Sequence, residues 1–250
     1  MTLAQPIPTK ADEAWRYADL KAVESIWQAV ETHEPVVVAA GENASQTVIL
    51  DGGEAQMRRL YIVLEEGARI DLACLAAAPG YGRIEVDVDV ASGAHFEMGG
   101  AIIGSGDQTL EIVTYVNHHA PDATSNQTVR TVLAGKATGS FLGKIKIARD
   151  AQRIDAEQSV KAMLLDRTAT ANAKPELEIF ADDVKCAHGA TVGELDKQAL
   201  FYMASRGLPP GIAKRLMLQA FVADSFVSLK GEAEFDLIED KALEVLEALS

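Results

Sequence analysis

The chain has 250 residues, 48% of them hydrophobic, enough to bury a sizeable core as one domain or one domain with helical appendages. Its 37 acidic against 23 basic residues give a formal net charge of -14, which repels a phosphate backbone or an anionic membrane surface at long range and excludes nucleic acid as an expected partner. No run of about 18 apolar residues offers a bilayer span, and MTLAQPIPTKADEAW lacks the basic and apolar regions of a signal peptide, so a cytoplasmic chain with no membrane partner is expected.

Residues 12–32 carry Ala14, Tyr17, Leu20, Val23, Ile26, Trp27 and Val30 at roughly helical spacing before Pro35. This predicts an N-terminal helical cap within residues 1–35, covering the open end of a strand stack as terminal repeats do in solenoids. Residues 36–195 read almost entirely as short strands. VVVAA, QTVIL, RLYIVLE, ARIDLACL, RIEVDVDV, HFEMGGAII, TLEIVTYV, TSNQTVRTVLA, GSFLGKIKIA, RIDAEQSV, RTATANA and LEIFA recur between Gly, Asp, Asn and Pro. In the clearest of them Ile84, Val86, Val88 and Val90 alternate with Arg83, Glu85, Asp87 and Asp89, so one face is expected to be buried and the other solvated. No helix-length pattern interrupts the run, which excludes a βαβ architecture and leaves a sandwich, a barrel or a strand solenoid.

At Val184-Lys185-Cys186-Ala187-His188 the chain extends once more, and Gly189 and Gly193 are expected to break it. Residues 196–250 then read as a C-terminal helical domain. Its first helix starts at Asp196, carries Ala199, Leu200, Met203 and Ala204 on one face and stops at Gly207. A second begins at Pro209-Pro210 with Ile212, Leu216, Ala220 and Phe221 on one face, and a third places Leu237, Leu243, Val245, Leu246 and Leu249 for packing.

The string VKCAHGATVGELD, followed by LFYMASRG, resembles the C-terminal signature of SufD-like members of the SufB/SufD family, scaffold proteins of the SUF system for iron-sulfur cluster assembly. The likeness extends upstream through MLLDRTATANAKPELEI and FLGKIKIARDAQRIDAEQS to about Asn117, and EAWRYADL at 13–20 is similar to the family's opening motif. Where SufB-like chains carry a cysteine three residues before a Met-Leu pair, this chain has Val160 before Met163-Leu164. Where they read His-Glu-Ala-Thr, it reads His188-Gly189-Ala190-Thr191, which puts the resemblance on the SufD side, without the presumed principal thiolate. The resemblance decides among the strand architectures. It implies a mainly β protein with a right-handed parallel β-helix core, a short N-terminal helix and a C-terminal helical domain.

It further implies a non-enzymatic scaffold that pairs with a SufB-like chain through its last strands and with a SufC-like ABC-type ATPase through its C-terminal helices. No cofactor is then held stably, and a transient iron-sulfur cluster is shared with the SufB-like partner. His188 has two readings: a hydrogen-bonded histidine where the last strand meets the helices, or, by the resemblance, a residue facing the partner at the assembly site, where imidazole is a reasonable iron ligand. Cys186, two residues earlier and on the same strand face, reads as a second metal ligand or as an inert core thiol. One thiolate and one imidazole fall short of the four ligands a cluster normally takes, so such a site must be shared between chains. Phe201, Tyr202, Ser205, Arg206 and Gly207 read either as a helix with an aromatic core face and a glycine C-cap or, by the resemblance, as part of the ATPase docking region.

Other candidates read as structural. Adjacent His118 and His119 point to opposite faces of a strand and are taken as surface or turn histidines. Gly104-Ser105-Gly106 reads as a turn, Asp87 and Asp89 as a solvated face, and Cys74 as a small core residue, with no disulfide to Cys186. Two rival functions are a β-solenoid polysaccharide lyase or hydrolase, with acids on a strand face and bases opposite, and a homodimer formed through open strand edges that acts outside any SufB complex.

Overall fold

A computed structural model describes residues 6–27, 35–229 and 233–249. Twelve strands wind into two parallel sheets. Odd strands form one: β1 (Val36–Val38), β3 (Ala55–Leu64), β5 (Tyr81–Val90), β7 (Thr109–His118), β9 (Thr138–Ile147) and β11 (Thr170–Ile179). Even strands form the other: β2 (Asn43–Leu50), β4 (Arg69–Ala76), β6 (His95–Gly104), β8 (Thr124–Leu133), β10 (Ile154–Leu164) and β12 (Val184–Gly193). Each strand pairs in register with the strand two places on, so the chain is a parallel β-solenoid in which one coil contributes one strand to each sheet. Inward rows such as Ile84, Val86, Val88 and Val90 stack coil upon coil into a continuous apolar interior.

The corners explain the spacing of the turn residues. Gly41, Gly67 and Gly93 all have positive φ, and the amides of Gly67 and Gly93 donate to Ser92 and Pro121 of the coil above. The same corner position is taken by Asp122 (φ 64) and Arg153 (φ 58) in the later coils, where the Arg153 guanidinium grips the Asp122 carboxylate through two nitrogens. Gly106, also at positive φ, makes the Gly104-Ser105-Gly106 segment a turn between β6 and β7.

Several sequence expectations are corrected. RTATANA and LEIFA are parts of one strand, β11, which passes straight through Pro175; it is the edge strand of its sheet, and an edge tolerates a missing N–H. Gly189 does not break β12, because ten consecutive pairings with β10 hold the strand extended. The helix expected over 12–32 is a 3-10 turn, Glu13–Trp15, followed by α1, Leu20–Ile26, whose first amides are capped by the Asp19 carboxylate; Val30 lies outside the described residues. This segment lies across the outer face of the odd-strand sheet. Trp15, Val23 and Trp27 pack with Met57 and Tyr81, and Glu13 pairs with Lys174 of β11. Arg83, expected on a solvated face, is consequently fully buried: its guanidinium sits 3.8 Å from the Trp15 ring centroid, donates to the Ala14 carbonyl at 2.9 Å and pairs with Glu85 and Glu111.

Three helices follow: α2 (Lys197–Ser205), α3 (Pro210–Ala223) and α4 (Ala233–Glu247). α3 and α4 bury Leu218, Val222, Phe235, Ile238, Ala242 and Leu246 with Phe226 and Leu229 against Ala73, Leu75, Ala101, Ile103 and Val132 on the outer face of the even-strand sheet. The buried faces differ from the expected ones. Ile212, Leu216 and Leu237 are exposed, because only the helix residues that lie over the sheet are covered. Gly99 of β6 admits the close approach, since a β-carbon there would fall on the Ser225 carbonyl oxygen. Arg130 of β8 locks the contact, donating to Asp224 at 2.8 Å and to the Ser159 carbonyl at 2.9 Å.

Candidate functional site

β11 and β12 form the last coil, and among the described residues no further strand stacks on either. One edge of β12 therefore presents unpaired backbone N–H and C=O groups along ten residues. Val184, Cys186, His188, Ala190 and Val192 lie in register with the buried inward row of β10, namely Ile154, Ala156, Gln158, Val160 and Ala162. Burial falls off along this row. Val184 and Cys186 pack against the interior cluster together with Ala173, Leu177 and Ala181, whereas His188, Ala190 and Val192 are exposed.

The hydrogen-bonded reading of His188 thus does not hold: the ring sits at the open mouth of the solenoid, and among the described residues no protein group hydrogen-bonds to it. Cys186 is half-buried one strand position deeper. Burial pushes its thiol above the ordinary range, against the opposing effect of a backbone hydrogen bond from Ala156. The pair can present one imidazole and one thiol to a surface brought against this end. Among the described residues, no group of three His, Cys, Asp or Glu side chains is placed to hold a metal ion. Cys74 is a core thiol, fully buried and pushed up to about 12 by burial, and both cysteines are free.

The aromatic core face expected on α2 is absent. Phe201 is 76% and Tyr202 58% exposed, so both are surface residues. Arg206 uses its side chain on Tyr202, donating to the phenol oxygen at 3.0 Å with the guanidinium 5.2 Å from the ring centroid, instead of capping a carbonyl. The Ser205 hydroxyl donates to the Tyr202 carbonyl at 2.7 Å. Gly207, at φ +88, closes the helix as read from the sequence: its amide donates to Ala204 and that of Leu208 to Met203.

His118 is not a surface histidine. It is 1% exposed inside the solenoid, where Nε2 meets the Ser125 hydroxyl at 2.9 Å, and burial, with some help from His119, lowers its pKa to about 4. His119 is exposed and pairs with Asp89, which also accepts from the Tyr61 phenol, while Asp87 accepts from Asn117. These acids are engaged by neighbours on their own sheet. A groove of about 420 Å3 at the opposite end of the solenoid is lined by Val36, Gln46, Thr47, Arg58, Arg59 and Tyr61 among others, with no carboxylate among the described residues that line it, and a smaller one of about 190 Å3 brings Glu13 and Glu176 together with Lys144.

Sequence reasoning missed the polar residues inside the solenoid. Thr114, Gln127 and Gln158 are buried, and Gln127 and Gln158 stand in register with His188 in successive coils. The signal was the recurrence of a polar residue at one coil's spacing, legible only once the coil length is known.

These features define a parallel β-solenoid protein with an open terminal coil, an exposed imidazole and a half-buried thiol at its mouth, and helices folded back on one sheet. The model of one family, described as "SUF system FeS cluster assembly, SufBD core domain", matches residues 37–221. The chain belongs to this family, and its relatives within it include SufD proteins. It is 36% identical over 126 residues to "Iron-sulfur cluster assembly protein SufD" of Escherichia coli (strain K12), the match covering 50% of this chain and 30% of the relative. It is 34% identical over 122 residues to the protein of the same name in Bacillus subtilis (strain 168), covering 49% and 28%. With "Protein ABCI7, chloroplastic" of Arabidopsis thaliana it shares 35% identity over 116 residues, covering 46% and 24%. The matched stretches thus span less than a third of each of these relatives. No described helix is long and apolar enough to cross a membrane.

Proposed function

We propose that the chain is a non-enzymatic scaffold subunit of iron-sulfur cluster assembly, which lends His188 and Cys186 to a transient assembly site shared with a SufB-like partner. The observation that carries this reading is the open end of the solenoid, where one imidazole and one thiol on the inward row of an unpaired edge strand meet the surface together. An edge strand with free backbone groups is a template for pairing with another chain, and a related solenoid end offers the matching strand. Two such ligands are too few for a cluster, so the cluster is cargo built between two chains and passed on. The exposed Phe201 and Tyr202 of α2 and Arg206 just beyond it, with Ser205 and Gly207 fixing the end of that helix, supply a surface for a SufC-like ATPase. ATP-driven movement there would reshape the paired ends.

The test is His188→Ala in the assembled complex. An exposed ring without hydrogen bonds is dispensable for folding, so the variant is expected to fold and to bind the partner as the wild type does, while cluster formation per folded complex, measured anaerobically with iron and sulfide supplied, is abolished. Cys186→Ser separates the neighbours, because shared ligation predicts an assembly defect and a packing thiol predicts only a stability change. Full assembly by a folded His188→Ala complex refutes the role of His188.

A further inference from the structure

Three inward-facing polar side chains stand one above another along the solenoid axis: Gln127 of β8, Gln158 of β10 and His188 of β12, each paired in register with the next. Gln127 and Gln158 are 0% and 1% exposed, in a mainly apolar interior that also holds Thr114, His118 and Ser125. Gln127 Oε1 accepts from the Thr114 hydroxyl across the interior at 2.7 Å, and its Nε2 has no partner. Both polar atoms of the Gln158 amide are unpaired. A buried amide in that condition is costly, and native folds rarely retain one without a use. Space has been made for it: at Gly143 of the facing strand β9, a β-carbon would come within 2.6 Å of Gln158 Nε2.

The spacing between coils is about 4.8 Å, which stacked amides bridge directly or through one water. The direction of the bonds follows from the contact already made. Because the Thr114 hydroxyl donates to Gln127 Oε1, Gln127 offers its Nε2–H to the next coil. Relayed by a water, that donor suits Gln158 Oε1, which leaves Gln158 Nε2–H, beside Gly143 of β9, for a second water on the side of the last coil. The residue in register there is His188.

We propose that Thr114, Gln127 and Gln158 form a ladder, bridged between coils by water, that orients His188, with one water accepting from Gln158 Nε2 and donating to the inner nitrogen of the imidazole. The inner nitrogen is then a proton-free acceptor and the outer nitrogen carries the N–H. His188 so held presents a donor to the chain covering the open end, suited to a thiolate or a bridging sulfide; to ligate iron through the outer nitrogen it must first lose that proton or turn the ring. Gln158 is a positioning residue. Its value to assembly rests on the reading of this end as the shared site, but the ladder itself is measurable without any partner.

The experiment records long-range 15N–1H correlations of the imidazole ring in the isolated chain at about pH 8.5, two units above the ordinary histidine value. The His188 signals are assigned by their loss in His188→Ala. Relative to the wild type, Gln158→Met should change the ratio of the two ring tautomers roughly threefold to tenfold, the effect of one net hydrogen bond. Gln158→Glu, whose carboxylate only accepts, should move the ratio the other way by protonating the inner nitrogen, and Gln127→Met should act as Gln158→Met does but more weakly. A purely structural role would lower stability and leave the tautomers unchanged. Identical His188 ring shifts in the wild type and a folded Gln158→Met variant overturn the proposal, and this near-isosteric variant decides alone if the buried carboxylate of Gln158→Glu prevents folding. If the ladder fails here while His188→Ala still abolishes assembly, the ladder is wrong and the assembly site stands; the reverse pair of results retains the ladder and removes the site.

Discussion

Acidification from pH 7 to pH 5 should weaken the fold by roughly 2 kcal/mol through His118 alone. The ring lies inside the solenoid with one nitrogen on Ser125 and the other unpaired, and burial lowers its pKa from 6.5 to about 4. As pH falls, the unfolded chain takes up a proton near 6.5, whereas the folded chain resists until near 4. The unfolded state therefore binds more protons throughout that window, and stability falls with falling pH, by at most about 1.4 kcal/mol per unit and roughly 3 kcal/mol in all. Urea unfolding of the wild type and His118→Leu at several pH values isolates the effect, because all other titrating groups are common to both. Leucine leaves the Ser125 hydroxyl without its partner, a pH-independent cost of about 1 kcal/mol that displaces every point equally. The difference between the two proteins should thus change by roughly 2 kcal/mol between pH 7 and pH 5, in favour of the variant at low pH. A difference that stays constant over this range shows that the folded protein admits the charge, and refutes the argument from burial.

Gly99→Ala places a methyl group on the Ser225 carbonyl and should cost about 1–3 kcal/mol, read by hydrogen exchange as faster opening of α3 and α4 before any opening of the strands. Arg206→Ala removes an exposed contact with Tyr202 and should change stability by no more than about 0.5 kcal/mol; weakened binding of a SufC-like ATPase in a titration, with folding intact, would make α2 the docking helix, and unchanged affinity would remove Arg206 from it.

The strand text was legible because an inward face buried in every coil forces alternation, as in Ile84 to Val90, and because each corner needs a residue that accepts positive φ, as at Gly67 and Gly93. What alternation does not report is the outer face. Arg83 reads as solvated in any local window, and only Trp15, distant in sequence, buries it. The packed faces of α3 and α4 were misread for a related reason: a helix lying on a sheet is buried where the sheet beneath it is, so Leu218 and Val222 are covered while Ile212 and Leu216, with equal hydrophobicity, are not. Pro175 split β11 in the sequence reading because proline breaks a central strand; nothing local says that this strand is at an edge.

The site was legible as a motif and not as a place. Cys186 and His188 share a strand face on spacing alone, yet their unequal burial depends on where the stack of coils stops. In the closed coils the register position of His188 is occupied by Leu72, Met98, Gln127 and Gln158, all buried. Among the described residues no strand covers the last coil, so termination alone turns an interior position into a surface one, and a side chain that would otherwise have to be satisfied inside the protein is exposed. An end coil is therefore a part of a solenoid where a polar inward residue carries little desolvation cost in the free chain and would be desolvated only on docking, which on the proposed reading couples the chemistry of His188 to the arrival of a covering chain.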